Sequence, residues 1–191
     1  VLETGLMDHQ FCLYETLLRV PLAMRLPGTF EGGTRVDTSV QLVDLLPTVL
    51  DVVGVDPAAR PALDGTSLVD PGPAAERPVV AEYTRPVATR EAFLKRHPGF
   101  DFDQLGRALW SYQEGHHKLI LSEHGDRELY DLQADPGEQA NLVTVRPGRA
   151  DQLQAQLEQW RSAAATPVDD TAPVTLDPEA IQALRELGYA E

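Results

Sequence analysis

Three short apolar segments, joined by turns that contain glycine, place the strongest constraint on how this chain can fold. They occupy residues 108–112, 118–121 and 128–132, with Gly115 in the first gap and Gly125 in the second. Connections this short favour antiparallel neighbours, and glycine permits the backbone of a tight turn. The sequence therefore predicts a small antiparallel sheet in this region. Residues 79–83 predict one more strand.

The N-terminal part of the chain predicts two helices and a strand. Leucines with helical spacing predict a short helix within residues 13–18, and the apolar run at 20–26 predicts a strand. Because that run is almost continuously apolar, we expect it to need cover on both faces and neighbours in a parallel sheet. A second helix is predicted to begin with Asp44 as its N-cap and to stop at Gly54.

The C-terminal part predicts further helices. Residues 149–162 are amphipathic, with three large apolar side chains predicted to face inward: Leu153, Leu157 and Trp160. Residues 135–138 predict the cap of a short helix, and Asp177-Pro178 predicts the start of a last one. Together with the hairpins, these elements indicate an α+β unit.

Charge and composition exclude several classes of function. The 191 residues include 16 Lys+Arg and 30 Asp+Glu, a net charge of −14, which argues against sequence-independent binding of nucleic acid. No apolar run approaches the roughly 18 residues of a membrane span. One cysteine, Cys12, excludes an intrachain disulfide and a cysteine-cluster metal site, and we expect a small buried apolar residue there. Residue 1 is valine and no signal-peptide pattern follows, so we expect a piece of a longer protein.

A set of short motifs follows in a fixed order along nearly the whole chain. They occupy residues 5–9, 13–15, 19–22, 25–28, 43–51, 54–55, 64–68, 118–120, 128–132, 135–138, 141–142 and 184–189. Each motif alone is weak, but the ordered set resembles the C-terminal portion of a bacterial sulfatase, in the alkaline phosphatase superfamily.

The resemblance implies an α/β (alkaline-phosphatase-like) fragment. It would contain the last strands and helices of the catalytic domain, plus a small antiparallel-sheet C-terminal subdomain with helices. The implied boundaries are residues 1–70 for the end of the catalytic domain, 71–165 for the subdomain, and 166–191 for a linker and terminal helix.

The resemblance also implies chemistry whose main parts lie outside this chain. Sulfatases use a Cys or Ser oxidised to formylglycine as nucleophile, and a divalent metal, usually calcium, neutralises the sulfate oxygens. Cys12 lacks the Pro and Arg that accompany that nucleophile. We therefore expect nucleophile and metal ligands to come from a missing N-terminal part, no metal to be bound by this chain alone, and the isolated chain to be inactive.

The resemblance implies His9 as the candidate catalytic residue, since similar proteins have a Lys or His near this place that contacts sulfate or helps the leaving group. Gln10 is a competing match for the same place, and a surface or supporting histidine is the other alternative. Arg90, Lys95 and Arg96 are candidate substrate-binding residues in the one locally basic stretch, and a solvated helix face is their alternative. His116 and His117 are predicted to form a solvated turn, because adjacent strand residues point to opposite faces and cannot easily share a metal.

The leading hypothesis is therefore the C-terminal part of a sulfatase-type hydrolase that acts on a small-molecule or glycan sulfate ester. A phosphodiesterase or phosphonate monoester hydrolase of the same superfamily is the alternative, since phosphate and sulfate are both tetrahedral oxyanions. A non-catalytic interaction module is the alternative from another class. Localisation and oligomeric state stay open.

Overall fold

The computed structural model describes residues 11–69, 77–84, 94–95, 99 and 106–164. The helices and strands in those ranges are α1 (Glu15–Leu18), α2 (Leu45–Val52), β1 (Val79–Tyr83), β2 (Leu109–Glu114), β3 (His117–Ser122), β4 (Arg127–Asp131) and α3 (Pro147–Ala164). Two 3-10 turns occupy Leu42–Asp44 and Pro57–Ala59. The chain divides into two compact units, Val1–Glu158 and Gln159–Glu191, and the described part of the second is the end of α3.

The four strands form one antiparallel sheet in the order β1-β2-β3-β4. Each strand is paired with its neighbour in sequence, which confirms the predicted series of hairpins. Gly115 and Gly125 lie in the turns with φ of +60° and +87°. Only glycine adopts this region of backbone conformation without strain, so these two residues fix where the hairpins turn.

Both faces of β3 are buried. Leu119 and Leu121 pack on one face in a cluster with Leu153 and Leu157 of α3. Ile120 points to the other face, as strand alternation requires, and packs in a second cluster that includes Leu13. The sheet is thus covered by α3 on one side and by residues 11–18, which we call the docked segment, on the other.

The prediction for α3 is confirmed except at its end. Leu153 and Leu157 are fully buried, but Trp160 is 37% exposed, so its predicted inward position is wrong. Leu157 is the last helix residue in the core cluster, and Trp160 lies almost one turn beyond it.

The prediction of a strand at residues 20–26 is wrong. The segment has no strand pairing, and Val20, Leu22 and Met24 are exposed. A strand exists only where a neighbour supplies the ladder of backbone hydrogen bonds. In the part of the chain that the structure describes, no strand runs beside these residues.

Helix α2 forms where predicted, but its cap differs. Asp44 stands at the N-cap position and makes no side-chain hydrogen bond to the helix that follows. Instead, its carboxylate accepts the backbone N–H of Gln41, in a reciprocal capping box around the 3-10 turn. Gly54, with φ +74°, ends the helix as predicted.

Residues 135–138 form a turn, so the predicted cap of a short helix there is wrong. Glu138 has φ +53°, a left-handed conformation that a continuing helix does not accept. The carboxylate of Asp135 accepts the N–H of Ala140 and holds the turn closed. The helix predicted from Asp177 lies outside the described residues.

Among the described helices, none combines the length and the apolar character that crossing a membrane requires.

Candidate functional site

The residues that the sequence singled out for chemistry fall mostly outside the described ranges. His9, Arg90 and Arg96 lie outside them, and Lys95 lies inside them and is exposed. Their predicted roles therefore stay predictions. The described residues contain four other clusters of charged or titratable side chains, each placed by the sheet or by α2.

The first cluster is an ion triad formed by Lys118, Glu15 and Glu138. Lys118 on β3 is 1% exposed, and its Nζ lies 2.8 Å from Oε1 of Glu15 and 2.9 Å from Oε1 of Glu138. The backbone N–H of Glu15 donates to Oε2 of Glu138 at 2.5 Å. A buried ammonium needs such partners, because an unpaired charge in the interior is strongly unfavourable. The triad joins the docked segment to β3 and to the 135–138 turn.

Burial raises the pKa of Glu138 above its ordinary value, although Lys118 and the N–H of Glu15 act in the opposite direction. A carboxyl group that is hard to ionise can hold a proton. The ion pair and the hydrogen bond of Glu138, however, are made to Lys118 and Glu15 of the same triad. The arrangement is therefore suited to holding segments together rather than to transferring a proton to a ligand.

The second cluster places two tyrosines on one carboxylate. The hydroxyls of Tyr14 and Tyr130 both donate to Oε2 of Glu128 at 2.7 Å, and their rings meet edge to face at 6.1 Å. Burial and the adjacent carboxylate raise the pKa of both tyrosines. Neither phenol is thus suited to act as a phenolate nucleophile or base. The cluster fixes the docked segment to β4.

The third cluster lies at the start of α2. The fully buried Asp44 carboxylate pairs with Arg77 and accepts the N–H of Thr66 at 2.9 Å. Burial alone would raise the pKa of Asp44, but the donated N–H groups of Thr66 and Gln41 and the Arg77 guanidinium lower it. Gly65 is required beside it, because a Cβ there would lie 1.9 Å from the carbonyl oxygen of Val43.

The fourth cluster, which we call the histidine cluster, contains His116, His117 and Asp131. One ligand atom from each side chain lies within 4.8 Å of the others, and the two imidazole centroids are 4.4 Å apart. The expectation that the two rings point to opposite faces is therefore wrong, whereas the predicted exposed turn position of His116 is confirmed. That the two histidines share no metal stays a prediction. His116 lies in the turn, outside β3, so strand alternation does not separate the two rings.

Cys12 is buried, and burial raises the pKa of its thiol. The thiolate, which is the reactive form, is therefore disfavoured. This confirms the interpretation of Cys12 as a small apolar residue of the interior.

The donor sets of the described residues do not fit the calcium that the sulfatase resemblance implies. Calcium takes six to eight oxygen ligands. The group of three His, Cys, Asp or Glu side chains that the described residues bring within reach of one metal ion is the histidine cluster, which offers two nitrogens and one carboxylate. No step of a sulfatase reaction is assigned to a metal held by these residues.

The histidine cluster and the ion triad were missed from the sequence for different reasons. His117 and Asp131 are direct partners in the β3–β4 register, so counting outward from the Gly125 turn finds that pair. Nothing local connects Lys118 with Glu15, which lies 103 residues away.

Known proteins and a family model match most of this chain. The family model described as N-sulphoglucosamine sulphohydrolase, C-terminal, matches residues 2–163. The arylsulfatase of Volvox carteri is 34% identical over 151 residues, covering 68% of this chain and 22% of that protein. The N-acetylglucosamine-6-O-sulfatase of Bacteroides thetaiotaomicron is 28% identical over 159 residues, covering 82% of this chain and 26% of that protein.

Among solved structures, the phosphonate monoester hydrolase of Agrobacterium radiobacter superposes with a TM-score of 0.46 at 26% identity, covering 71% of this chain and 28% of that one. The chain thus spans about a quarter of the length of the proteins it matches. The family model, in contrast, matches most of this chain. The chain belongs to the N-sulphoglucosamine sulphohydrolase C-terminal family, and so to the C-terminal region of the sulfatases in the alkaline phosphatase superfamily.

Proposed function

We propose that this chain is the C-terminal part of a bacterial sulfatase-type hydrolase, whose whole protein converts a sulfate ester and water into an alcohol and sulfate. The observation that carries this proposal is the match of the family model over residues 2–163. The rest of the parent protein would supply a formylglycine nucleophile and a divalent metal, calcium by resemblance, to attack sulfur and neutralise the sulfate oxygens. The domain boundaries near residues 70 and 165 are part of the proposal.

The interior contacts favour a structural role for this part of the protein. Motif residues from distant parts of the sequence meet one another: Tyr14 meets Glu128, and Glu15 meets Lys118 and Glu138. These motif residues hold the docked segment on the sheet.

His9 precedes Tyr14 by five residues, and we propose it as the residue of this chain that acts in the reaction. A histidine at this place can donate a proton to the departing ester oxygen or place a positive charge beside the sulfate. We propose Arg90, Lys95 and Arg96 as residues that attract the anionic substrate, a small-molecule or glycan sulfate ester.

The test compares variants of the full-length parent on 4-nitrophenyl sulfate and on a phenylphosphonate ester. His9→Ala is expected to reduce kcat by about a hundredfold or more, which is the scale of general acid catalysis. His124→Ala is the distant histidine control and is expected to keep kcat, and Gln10→Ala tests the competing match for the place of His9. The 191-residue chain alone is expected to hydrolyse neither substrate.

Hydrolysis of the phosphonate ester without hydrolysis of the sulfate ester would favour the phosphonate hydrolase hypothesis over the sulfatase hypothesis. A parent with neither activity under metal-replete conditions would favour the hypothesis of a non-catalytic interaction module. Turnover by the isolated chain would overturn the proposal that its nucleophile lies elsewhere.

A further inference from the structure

The histidine cluster is held together by the backbone of the sheet. His117 is the register partner of Asp131 in the β3–β4 ladder, so the two side chains leave neighbouring strands at the same level and on the same face. The carbonyl oxygen of His116 accepts the N–H of Leu132 at 2.8 Å, which ties the turn to the end of β4. The three side chains are therefore brought together by the hydrogen-bonded ladder and not by their rotamers alone.

One donor atom is held in the form that a metal ion needs. His117 Nε2 lies 2.8 Å from Nη1 of Arg146, and a guanidinium can only donate, so Nε2 faces it as an unprotonated acceptor. An unprotonated imidazole nitrogen is the form in which histidine binds a transition metal.

A cation already lies at this point of the structure. Nη1 of Arg146 is 2.8 Å from His117 Nε2 and 3.4 Å from Oδ2 of Asp131. Its side chain is about half exposed, so it can turn into solvent without breaking the core. The second nearby arginine, Arg149, is paired with Glu114 at 2.9 Å, which offsets its charge.

We propose that His116, His117 and Asp131 bind a divalent transition-metal ion of the zinc type, and that Arg146 competes with the ion for the same donor atoms. Zinc accepts two imidazole nitrogens and a carboxylate oxygen, at about 2.0–2.2 Å each, with water as a fourth ligand. Ligands around such an ion lie about 3.4 Å apart by tetrahedral geometry. The three ligand atoms lie within 4.8 Å of one another, so the proposed ion would draw them closer together, and His116 lies at an exposed turn position.

The proposal does not depend on sulfatase activity. The ion would cross-link the β2–β3 turn to the end of β4. Its signature is a preference for nitrogen-liking metals, because calcium requires an oxygen cage that this cluster lacks.

The test is calorimetric titration of the tag-free 191-residue chain with Zn²⁺ and, separately, with Ca²⁺. One zinc ion is expected to bind per chain, with no saturable calcium binding at the same site. His116→Ala and Asp131→Asn are each expected to weaken zinc binding by about tenfold or more, since even supporting residues of metal sites contribute that much. His116 is exposed, so its replacement leaves the sheet interior intact.

Arg146→Ala is the decisive variant. Removing a cation beside the site is expected to tighten zinc binding by about tenfold, whereas a merely structural arginine would leave it unchanged or weaker. His124→Ala, at the turn between β3 and β4, is the matched histidine control and is expected to bind zinc like the original chain. Co²⁺ substitution gives a second readout, a visible absorption band that His116→Ala removes.

Three results would overturn the proposal. One is the lack of saturable zinc binding by the original chain, and another is binding that His116→Ala and Asp131→Asn leave unchanged. The third is equal affinity of the Arg146→Ala variant and the original chain.

Discussion

The sheet with its two covers and the region of residues 20–54 treat their apolar side chains in opposite ways. In the first region, leucines of β3, β4 and α3 are buried on one face of the sheet, and Leu13, Leu109 and Ile120 are buried on the other. In the second, Val20, Leu46 and Val49 are each more than half exposed, while Asp44 and Thr48 are buried. Helix α2 thus buries Pro47 and Thr48 and leaves the apolar side chains of Leu46, Val49 and Val52 exposed. The first region therefore completes its core within this chain, whereas the second leaves large apolar side chains exposed.

Polar contacts explain how the second region is nevertheless held. The side-chain NH2 group of Gln41 donates to the carbonyl oxygen of Pro78, and its side-chain oxygen accepts the backbone N–H of Val80. These two bonds tie the start of the 3-10 turn to β1. Asp44 gathers Thr66 and Arg77. One region therefore depends mainly on apolar packing and one ion triad, and the other depends mainly on a single buried carboxylate.

The largest expected effect is the loss of the ion triad. Lys118→Ala leaves the carboxylates of Glu15 and Glu138 near each other without their cation, and we expect a loss of about 3–5 kcal/mol in unfolding free energy. Urea unfolding followed by circular dichroism measures it. Arg127→Ala removes an ion pair to an exposed Asp151 and is the matched control, with an expected loss below about 1 kcal/mol. Equal losses in the two variants would contradict a special role for the triad.

The next largest loss of stability is expected in the second region, where a larger residue at position 65 would overpack the loop. Gly65→Ala would drive a methyl group into the backbone at Val43, so we expect a loss of about 3 kcal/mol. Gly32→Ala is the control, because a Cβ there meets nothing within 4 Å. Protease sensitivity at residues 40–68 reports the change locally. A Gly65→Ala chain as resistant as the Gly32→Ala chain would mean that the loop does not rest against the backbone of the 3-10 turn at Val43.

A third prediction concerns acid. The lowered pKa of Asp44 means that its ionised form is stabilised by folding. Its contribution is fully present above the unfolded-state pKa, about 3.9, and is lost as pH falls through the lower folded-state pKa. Asp44→Asn is expected to cost about 2 kcal/mol at pH 7, the scale of hydrogen bonds to a charged group, and to flatten the acid limb of the stability curve.

Asp37→Asn is the control for that charge change. Asp37 is paired with Arg35 at a strongly exposed position, so its replacement is expected to leave the curve in place. An Asp44→Asn chain with the original acid sensitivity would refute the role of this carboxylate.

The smallest loss of stability is expected from the tyrosine hydroxyls that hold the docked segment to β4. Tyr14→Phe removes one donor to Glu128 while Tyr130 keeps the other, so we expect a loss of about 1 kcal/mol. The double variant with Tyr130→Phe is expected to cost more than the sum of the single variants, because it leaves the carboxylate without either phenol. Strict additivity in a double-mutant cycle would show that the two hydroxyls act independently.

The parts of the fold that sequence could predict are those decided locally. Gly115 and Gly125 mark turns that only glycine makes easily, and the hairpins follow from them. Leu153 and Leu157 predict the packed face of α3 by their spacing. The strand expected at 20–26 does not form because a strand is decided by a neighbour, which no local pattern provides.

The candidate sites divide in the same way. His117 opposite Asp131 follows from the hairpin register. The predicted turn position of His116 is confirmed, but the expectation that its ring points away from that of His117 fails because β3 begins only at His117. The turn at 135–138 depends on the left-handed backbone of Glu138, and that conformation is stabilised by partners from Glu15 and Lys118. Such long-range partners leave no trace in the local sequence.

Amide hydrogen exchange, measured on the isolated 191-residue chain and on the full-length parent, tests the central comparison most directly. We predict strong protection of β2, β3, β4 and the inner face of α3 in both proteins, because their core is complete within the chain. Residues 42–54 are predicted to exchange rapidly in the isolated chain and slowly in the parent, where the apolar side of α2 would be covered. Equal protection of residues 42–54 in the two proteins would contradict the account.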